Sequence, residues 1–330
     1  MADVLHGVTE IDLDVVVAAL RRDYSKLSAR LRELQHTVVC ECAGATLRLH
    51  FPAFRQGTAT VYELVEAISL HMTSYALPRA EVAAVESKYG QISPAEFRDE
   101  TTALNTTALR LFKKASEATG RNGECGELIL YLLTEWVLEA PQLIAKMALK
   151  TNSEMPVFGS DGVHVKYCAK SSRLYLYWGE AKLYDDVSDA ITKAIESINT
   201  ALDPAKARHE LDLVKRNVDL SGFDPVAKAE LLKFLDPAEE NYNKRFDVIT
   251  ALIGFNFDAY SDVGAAEGEQ AEARFAALAT EKLEALAPSV AEKLKNAGLD
   301  ATTLELFFLP VPNVQKLRDL FQAKIGWTAG

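Results

Sequence analysis

The chain has 330 residues, 48% of them hydrophobic and 25% charged, and its 36 basic and 47 acidic residues give a net charge of −11. This composition excludes a disordered or collagen-like chain, and the sequence has neither the roughly 18-residue apolar run of a membrane-spanning helix nor the basic, apolar start of a signal peptide. We expect a cytoplasmic protein that binds duplex DNA only weakly by itself, because such affinity depends on phosphates neutralised by Lys and Arg.

Hydrophobic spacing predicts helices and short strands in the N-terminal third. An amphipathic helix is expected over 11–35, then a hairpin over 37–51 that turns at Ala43 and Gly44, then helices over 58–77 and 94–119. For the basic residues of the first helix, a solvated helix face is a commoner explanation than a nucleic-acid contact. These residues are Arg21, Arg22, Lys26, Arg30 and Arg32.

The central segment predicts a helix, a β-hairpin and a second helix. The first helix has a wide apolar face, follows Gly120 and ends before Pro141. Two β-rich runs surround a turn at residues 169–172, and a helix with an acidic first turn follows over 185–202. Helix, strands and helix in this order predict an α/β fold with a mixed sheet.

The C-terminal third begins with three Asp-Pro steps, at 203–204, 224–225 and 236–237, each of which predicts a helix start with Asp as N-cap. A strand, an Ala- and Glu-rich helix over 264–297 that is polar enough to be exposed, another strand and a closing helix follow. We predict a restriction-endonuclease-like core with a mixed central sheet flanked by helices. Its expected divisions are an N-terminal α/β subdomain over 1–115, the core over 116–330 and a helical insertion around 203–300.

The four cysteines are too few for a disulfide framework in a chain of this length. Cys40 and Cys42 form one Cys-x-Cys pair with His36 and His50 nearby. A zinc site needs better-spaced ligand pairs, so we interpret the two cysteines as part of a strand.

The residues that predict chemistry are acidic, since phosphate-loop, dinucleotide-binding, nucleophile-elbow and zinc-protease motifs are absent. Asp161 begins the first strand of the hairpin, and Glu180 and Lys182 lie in the second, where alternation places both side chains on one face. A hairpin apex between residues 170 and 171 puts Asp161 opposite Glu180. Opposed carboxylates repel unless a cation lies between them, and Mg²⁺ prefers such oxygen ligands.

This inference depends on the hairpin register, because a shift of one residue would move Glu180 to the other face. A third acid, Glu127, lies with Glu124 in the first turn of the preceding helix. Carboxylates favour helix N-termini for electrostatic reasons alone. Because Asp161 and the Glu-x-Lys sequence are also present, a functional role explains Glu127 better than helix electrostatics alone.

Asp161 followed nineteen positions later by Glu-x-Lys matches the PD-(D/E)xK nuclease pattern, which by itself is unspecific. The wider context resembles the nuclease subunit of Hachiman anti-phage defence systems from about Val61 to Tyr184. It comprises SYALPR, GECGELILYLLTEWVL, PQLIAKMALKT, GSDGVHV and LYLYWGEAKLY. The late segment TLELFFLPVPNVQKL is similar to that family too, whereas residues 1–60 and 203–300 match less distinctly.

The resemblance implies a divergent PD-(D/E)xK fold, DNA cleavage that depends on Mg²⁺ or Mn²⁺, and a superfamily 2 helicase as obligate partner. Residue by residue, it implies that Asp161 and Glu180 bind the metal and that Lys182 is the catalytic lysine. Glu127 matches the helix acid of the wider superfamily and would complete the metal shell or hold a nearby water. Ser160 stands where the pattern has proline.

Three functions are compatible with these observations. The favoured one is a DNA nuclease effector that its partner helicase restrains or delivers. A catalytically silent module that docks a helicase or binds DNA is the alternative, although a binding scaffold has no need for clustered acids. Metal-dependent chemistry on a different substrate has no supporting motif.

Overall fold

A computed structural model describes residues 12–34, 36–39, 44–119, 123–150, 159–218, 225–263 and 268–327. The strands are β1 (Leu31–Glu33), β2 (Val38–Val39), β3 (Ala45–Pro52), β4 (Phe54–Arg55), β5 (Thr58–Ala59), β6 (Gln142–Ile144), β7 (Gly162–Cys168), β8 (Arg173–Leu183), β9 (Arg245–Asn256) and β10 (Leu304–Val311). The helices are α1 (Leu13–Ala18), α2 (Val61–Ser69), α3 (Met72–Ala76), α4 (Arg79–Glu86), α5 (Pro94–Thr119), α6 (Glu124–Val137), α7 (Lys146–Lys150), α8 (Val187–Ala201), α9 (Pro204–Asn217), α10 (Pro225–Lys233), α11 (Ala259–Asp262), α12 (Gly268–Asn296) and α13 (Val314–Ile325). Two 3-10 helices lie at Ser25–Ala29 and Glu240–Lys244.

Eight strands form one mixed sheet in the order β1-β3-β10-β9-β8-β7-β6, with β2 paired to β3. Strands β3, β10, β9 and β8 are parallel neighbours, whereas β8, β7 and β6 are antiparallel neighbours. The chain therefore runs from α6 through three antiparallel strands to α8 and then, after α9 and α10, to the parallel strand β9. This architecture confirms the predicted α/β fold with a mixed central sheet flanked by helices.

The two faces of the sheet are covered by different helices because side chains alternate along each strand. On one face, Val248 and Leu252 of β9 belong to a core that includes residues of α2, α3, α5, α6 and α13. On the other face, Ile249 and Ile253 pack with α8 and α12. A third cluster joins α1, α9 and α10 to β6, β7 and the first half of β8.

The N-terminal segment shares this sheet with the rest of the chain. Strand β3 is parallel to β10, and β1 and β2 pair with β3. Described residues on both sides of position 115 therefore contribute strands to the eight-stranded sheet, while β4 and β5 form a separate two-stranded sheet. The 203–300 segment is mostly helical, but it also supplies β9, which lies between β8 and β10.

The composition of residues 264–297 predicts an exposed insertion, but helix α12 is partly buried. Phe275, Leu283 and Leu294 are fully buried, and they pack in the same core as β3 and β10. These apolar residues recur at helical spacing among alanines and charged residues, so the average polarity of the segment concealed a continuous buried stripe.

The predicted helix over 11–35 is wrong. Helix α1 ends at Ala18, a 3-10 helix follows, and β1 pairs with β3 in an antiparallel arrangement. Backbone pairing to the sheet edge outweighs the helical spacing of the leucines, although Leu20 and Leu27 are buried all the same.

The basic residues of this segment do not form a solvated helix face. Arg21 pairs with Glu139 at 3.2 Å, and Arg32 pairs with Glu272 at 2.7 Å. The side chain of Arg22 donates to the hydroxyl of Ser74. These contacts occupy the guanidinium groups within the protein.

The predicted hairpin and two of the three Asp-Pro helix starts agree with the structure, and the third does not. Strands β2 and β3 form the expected hairpin, whose turn residue Ala43 and whose Cys40 and Cys42 lie outside the described residues. Asp203 caps α9, and α10 starts at Pro225, while Asp224 is also outside the described part of the chain. The step at 236–237 forms a turn in place of an α-helix, and there the Asp236 carboxylate accepts the amide of Ala238.

No helix in the described ranges combines the length and the apolar character that crossing a bilayer requires.

Candidate active site

The β7–β8 hairpin has the predicted register. Gly162 pairs with Gly179 at one end and Cys168 with Arg173 at the other, so the turn covers residues 169–172. Asp161 lies one residue before β7, and its amide donates to the Gly179 carbonyl at 2.7 Å. The paired residues of the hairpin end at Gly162 and Gly179, and Asp161 lies directly beyond them, close enough to Glu180 to affect its pKa.

The Asp161 side chain is held against β8 by a backbone hydrogen bond. Its Oδ2 accepts the amide of Ala181 at 2.9 Å. Since Ala181 follows Glu180 directly, this bond fixes one carboxylate next to the residue that carries the other. A charged carboxylate that accepts a backbone N–H makes one of the stronger hydrogen bonds in proteins.

Glu180 and Lys182 lie on the same face of β8, as the alternation predicts. Lys182 Nζ donates to Glu180 Oε1 in an ion pair. Glu180 is only 9% exposed, and Lys182 is half-buried. The opposite face of β8 packs on α6, where a Cβ atom on Gly126 would lie 3.3 Å from Ala181 Cβ.

The electrostatics of the pair favour a cation. Burial and, next, the negative charge of Asp161 raise the pKa of Glu180 to about 7, and Lys182 and Ser197 offset only part of this rise. For Lys182, burial alone would lower the pKa, but the charges of Glu180 and Asp161 outweigh it, so the pKa is raised. The lysine therefore stays protonated at neutral pH, where Glu180 is close to losing its proton.

Asp161, Glu180 and Lys182 open into a cleft of about 520 Å³ between the hairpin and α8. The remaining lining residues come from the loop before β7, from α8 and from α9. They are Gly159, Glu196, Ser197, Thr200, Ala201 and Lys206. The cleft brings three of the four residues predicted from the sequence to one surface.

The HamA family model matches residues 31–325 of this chain. The protein belongs to the HamA family. HamA is a component of Hachiman anti-phage defence, so the chain has a defence-related role, and the resemblance inferred from the sequence is confirmed. No curated protein matches the chain significantly.

The fourth predicted residue, Glu127, occupies a different place in this HamA protein. It lies on α6, outside the lining of the cleft, and its Oε2 accepts the Tyr75 hydroxyl at 2.7 Å. Burial and then the charge of Glu127 raise the pKa of Tyr75, and Asp161 adds to the rise. The charges of both acids therefore act on Tyr75.

The donor set fits a magnesium-type ion bound by two protein carboxylates. Within the described ranges, no three His, Cys, Asp or Glu residues form a group that could hold a metal by themselves. Mg²⁺ is commonly held by one or two carboxylates together with waters and substrate phosphates. Asp161 and Glu180 meet that requirement, whereas a shell completed by Glu127 stays a prediction.

Sequence reasoning did not identify Glu196, Ser197 and Lys206 as part of the cleft. The buried stripe of α8 contains Ala190, Ala194 and Ile198 among others, and Glu196 lies on the opposite, exposed face while Ser197 lies at its edge. No local pattern, however, indicates that this outer face borders the carboxylates of β8. Lys206 enters the cleft because α9 returns across the end of α8.

Proposed function

We propose that this HamA-family protein is a metal-dependent deoxyribonuclease, the effector that hydrolyses DNA phosphodiester bonds in its defence system. The observation that carries the proposal is the convergence of Asp161 and Glu180 on one cleft, with Lys182 beside them. Two ionised acids close together in a partly buried site repel each other, and a bound cation relieves this repulsion. The helix, three antiparallel strands, helix and parallel strand around them also support a PD-(D/E)xK assignment.

Asp161 and Glu180 would hold Mg²⁺ or Mn²⁺ in this proposal. Such an ion, when bound, polarises a phosphate and lowers the pKa of a coordinated water. The Ala181 amide keeps the Asp161 carboxylate oriented towards Glu180. Because the Glu180 carboxylate is mostly shielded from water, its charge acts strongly on a neighbouring cation.

Lys182 would stabilise the negative charge that develops on the phosphate during cleavage. Its ammonium stays protonated beside Glu180 and faces the cleft. A charge fixed in advance where the transition state becomes more negative needs no reorganisation during the reaction. Glu127 would act from outside the cleft, through Tyr75, on the position of Asp161.

The partner in this proposal is the superfamily 2 helicase of the same defence system, in a heterodimer that restrains or delivers the nuclease. The net charge of −11 supports DNA binding by the helicase and not by this subunit, because an acidic chain has little affinity of its own for phosphates. DNA would then be held mainly by the helicase and presented to the cleft.

A plasmid assay tests the proposal directly. Supercoiled DNA is incubated with the protein, with and without the helicase, in Mg²⁺, in Mn²⁺ and in EDTA. We expect cleavage that requires the metal, that increases with the helicase and that is lost in Asp161→Asn. The matched control is Asp319→Asn, which changes an exposed aspartate on α13 and should leave cleavage unchanged.

The silent-module alternative gives a different result in the same assay. The wild-type protein would bind the helicase, yet no condition would produce nicked or linear plasmid, and calorimetry would detect no Mn²⁺ binding even with DNA present. That combination would overturn the nuclease proposal.

A further inference from the structure

A buried ion pair lies directly behind the loop that carries Asp161. Lys146 Nζ of α7 is 2.6 Å from Glu210 Oε2 of α9, and the two side chains are 1% and 5% exposed. The same ammonium donates to the carbonyl and to the hydroxyl oxygen of Ser160, the latter at 3.2 Å. Two helices that are distant in sequence therefore converge on the residue that precedes Asp161.

Gly159 shows how closely Glu210 packs on this loop. Its φ of +133° lies in a region that side chains with a Cβ rarely adopt, and a Cβ atom there would be 2.3 Å from Glu210 Oε1. Ser160 Oγ also lies 3.3 Å from Glu210 Oε2. The carboxylate of Glu210 thus contacts the loop itself, in addition to its pair with Lys146.

The other side of the loop is held by β8. The Asp161 amide donates to Gly179, and the Asp161 carboxylate accepts from Ala181. The loop is therefore fixed between the strand on one side and the Lys146–Glu210 pair on the other. Both sets of contacts therefore act on the backbone and side chain that place the Asp161 carboxylate near Glu180.

Stability alone does not explain this pair. Burying two charges costs about as much free energy as their attraction returns, and apolar residues of similar size often serve the fold better. Glu210 Oε1 is in addition buried without a hydrogen-bond partner among the described residues. Lys146 is too deeply buried to contact a substrate, so a direct chemical role is excluded as well.

We propose that Lys146 and Glu210 are positioning residues that hold the Asp161 carboxylate beside Glu180, with Ser160 as the contact between the ion pair and Asp161. The catalytic consequence rests on the proposed nuclease function, whereas the positioning itself does not. Glu210 lies one helical turn after Lys206, which lines the cleft. Helix α9, in the segment that the sequence suggested was an insertion, is therefore part of the site.

The test uses the full-length protein and its helicase complex, with Lys146→Met, Glu210→Gln and the double variant. Each single change leaves one charge buried without its partner and should lower the melting temperature, whereas the double change removes both charges and should restore most of the loss. Hydrogen exchange of the Asp161 and Ala181 amides reports the position of the loop. Cleavage kinetics report its effect on the reaction.

We expect both amides to exchange at least about tenfold faster in the double variant, because the loop opens locally even when the fold is stable. For cleavage, kcat should fall about 10²-fold, the cost of a small misplacement of a reacting group, while KM for DNA stays unchanged. The control is Glu135→Gln, which breaks another buried pair, with Arg79 at 3.5 Å, away from this loop. It should lower the melting temperature without the selective change at Asp161 and Ala181.

Two results would overturn the inference. In the first, the double variant recovers its melting temperature, its amide protection and its cleavage together, which is the behaviour of a purely structural pair. In the second, the single variants retain both protection and cleavage. If the wild-type protein never cleaves DNA, the nuclease proposal fails, while the exchange measurement still decides whether the pair positions Asp161.

Discussion

The two faces of strand β8 differ in the way they are held. On one face, Glu180 and Lys182 form an ion pair beside Asp161 and border an open cleft. On the other, Gly179 and Ala181 let α6 approach closely, since Cβ atoms added at Gly126 or Gly179 would lie within 3.3 Å of their neighbours. Successive residues of β8 thus alternate between charged side chains on the cleft face and small residues that allow close packing on the α6 face.

The difference indicates how the site tolerates repulsion. Close packing of α6 on β8 and the regular β7–β8 pairing keep the hairpin in register. Because α6 packing and β7–β8 pairing hold the register, Asp161 and Glu180 stay close to each other although their charges repel. Substitutions on the cleft face should therefore change activity, and those on the packing face should change stability.

The largest effect is expected from Lys182→Ala. Cleavage should fall by about a hundredfold or more, the usual cost of removing one preorganised electrostatic group. Folding should persist, because Glu180, with its pKa raised to about 7, can take up a proton when its partner is removed. Plasmid cleavage and a thermal melt measure the two properties separately.

The control for this variant is Lys233→Ala, which removes a lysine from an exposed pair with Glu230. It should change neither cleavage nor stability appreciably, since exposed pairs contribute little. Full cleavage by a folded Lys182→Ala protein would remove Lys182 from the proposed mechanism.

Gly126→Val tests the packing face. The added atoms would push α6 away from Ala181 and Leu183, so the free energy of unfolding should fall by about 1–3 kcal/mol, as in other overpacked cores. Denaturant titration measures the loss. Ala103→Val places the same side chain at an exposed position of α5 and should cost much less. Equal losses in the two variants would contradict the close approach of α6 and β8.

The pH dependence of the stability of Asp161→Asn tests the repulsion between Asp161 and Glu180 on the cleft face. The folded protein binds the Glu180 proton more tightly than the unfolded chain does, because burial and Asp161 raise the pKa of Glu180 from 4.5 to about 7. The stabilising contribution of this proton is therefore complete below pH 4.5 and is lost as the pH rises through about 7. The Asn variant keeps an oxygen for the Ala181 amide but removes one of the two repelling charges.

In EDTA near pH 8, we expect this variant to be more stable than the wild type by about 1 kcal/mol, and by less near pH 5. Mg²⁺ or Mn²⁺ should raise the melting temperature of the wild type only, because a ligand that binds the folded state stabilises it. A destabilised variant that still responds to metal would instead indicate a structural role for Asp161.

The smallest effect is expected from Glu127→Gln. The amide oxygen can still accept the Tyr75 hydroxyl, so only the charge on the α6 side is removed. We expect cleavage to fall by less than the roughly hundredfold loss of Lys182→Ala, with the metal-dependent rise in melting temperature retained. A loss of both, measured in the same assays, would place Glu127 in the metal shell.

Much of the site followed from local rules. The turn at 169–172 and the alternation of β8 were sufficient to predict the hairpin register and that Lys182 shares the face of Glu180, whereas the direct opposition of Asp161 and Glu180 stays a prediction. Helix α5 and the Asp203 cap of α9 were predicted for the same reason, since they depend on neighbours within a few residues. The predicted helix over 11–35 was wrong because the end of the segment pairs with the sheet edge and its leucines are buried in three separate clusters.

The sequence by itself determined the α/β class, the hairpin register and the shared face of Glu180 and Lys182, because these rest on contacts that period, turn and strand alternation specify. Only the tertiary structure decided that Glu127 meets Tyr75 outside the cleft, that Lys206 of α9 lines the cleft and that Lys146 pairs with Glu210. Those contacts join residues more than fifty positions apart, as between Tyr75 and Glu127 or Lys146 and Glu210. Packing between whole elements creates them, and no local pattern encodes which faces meet.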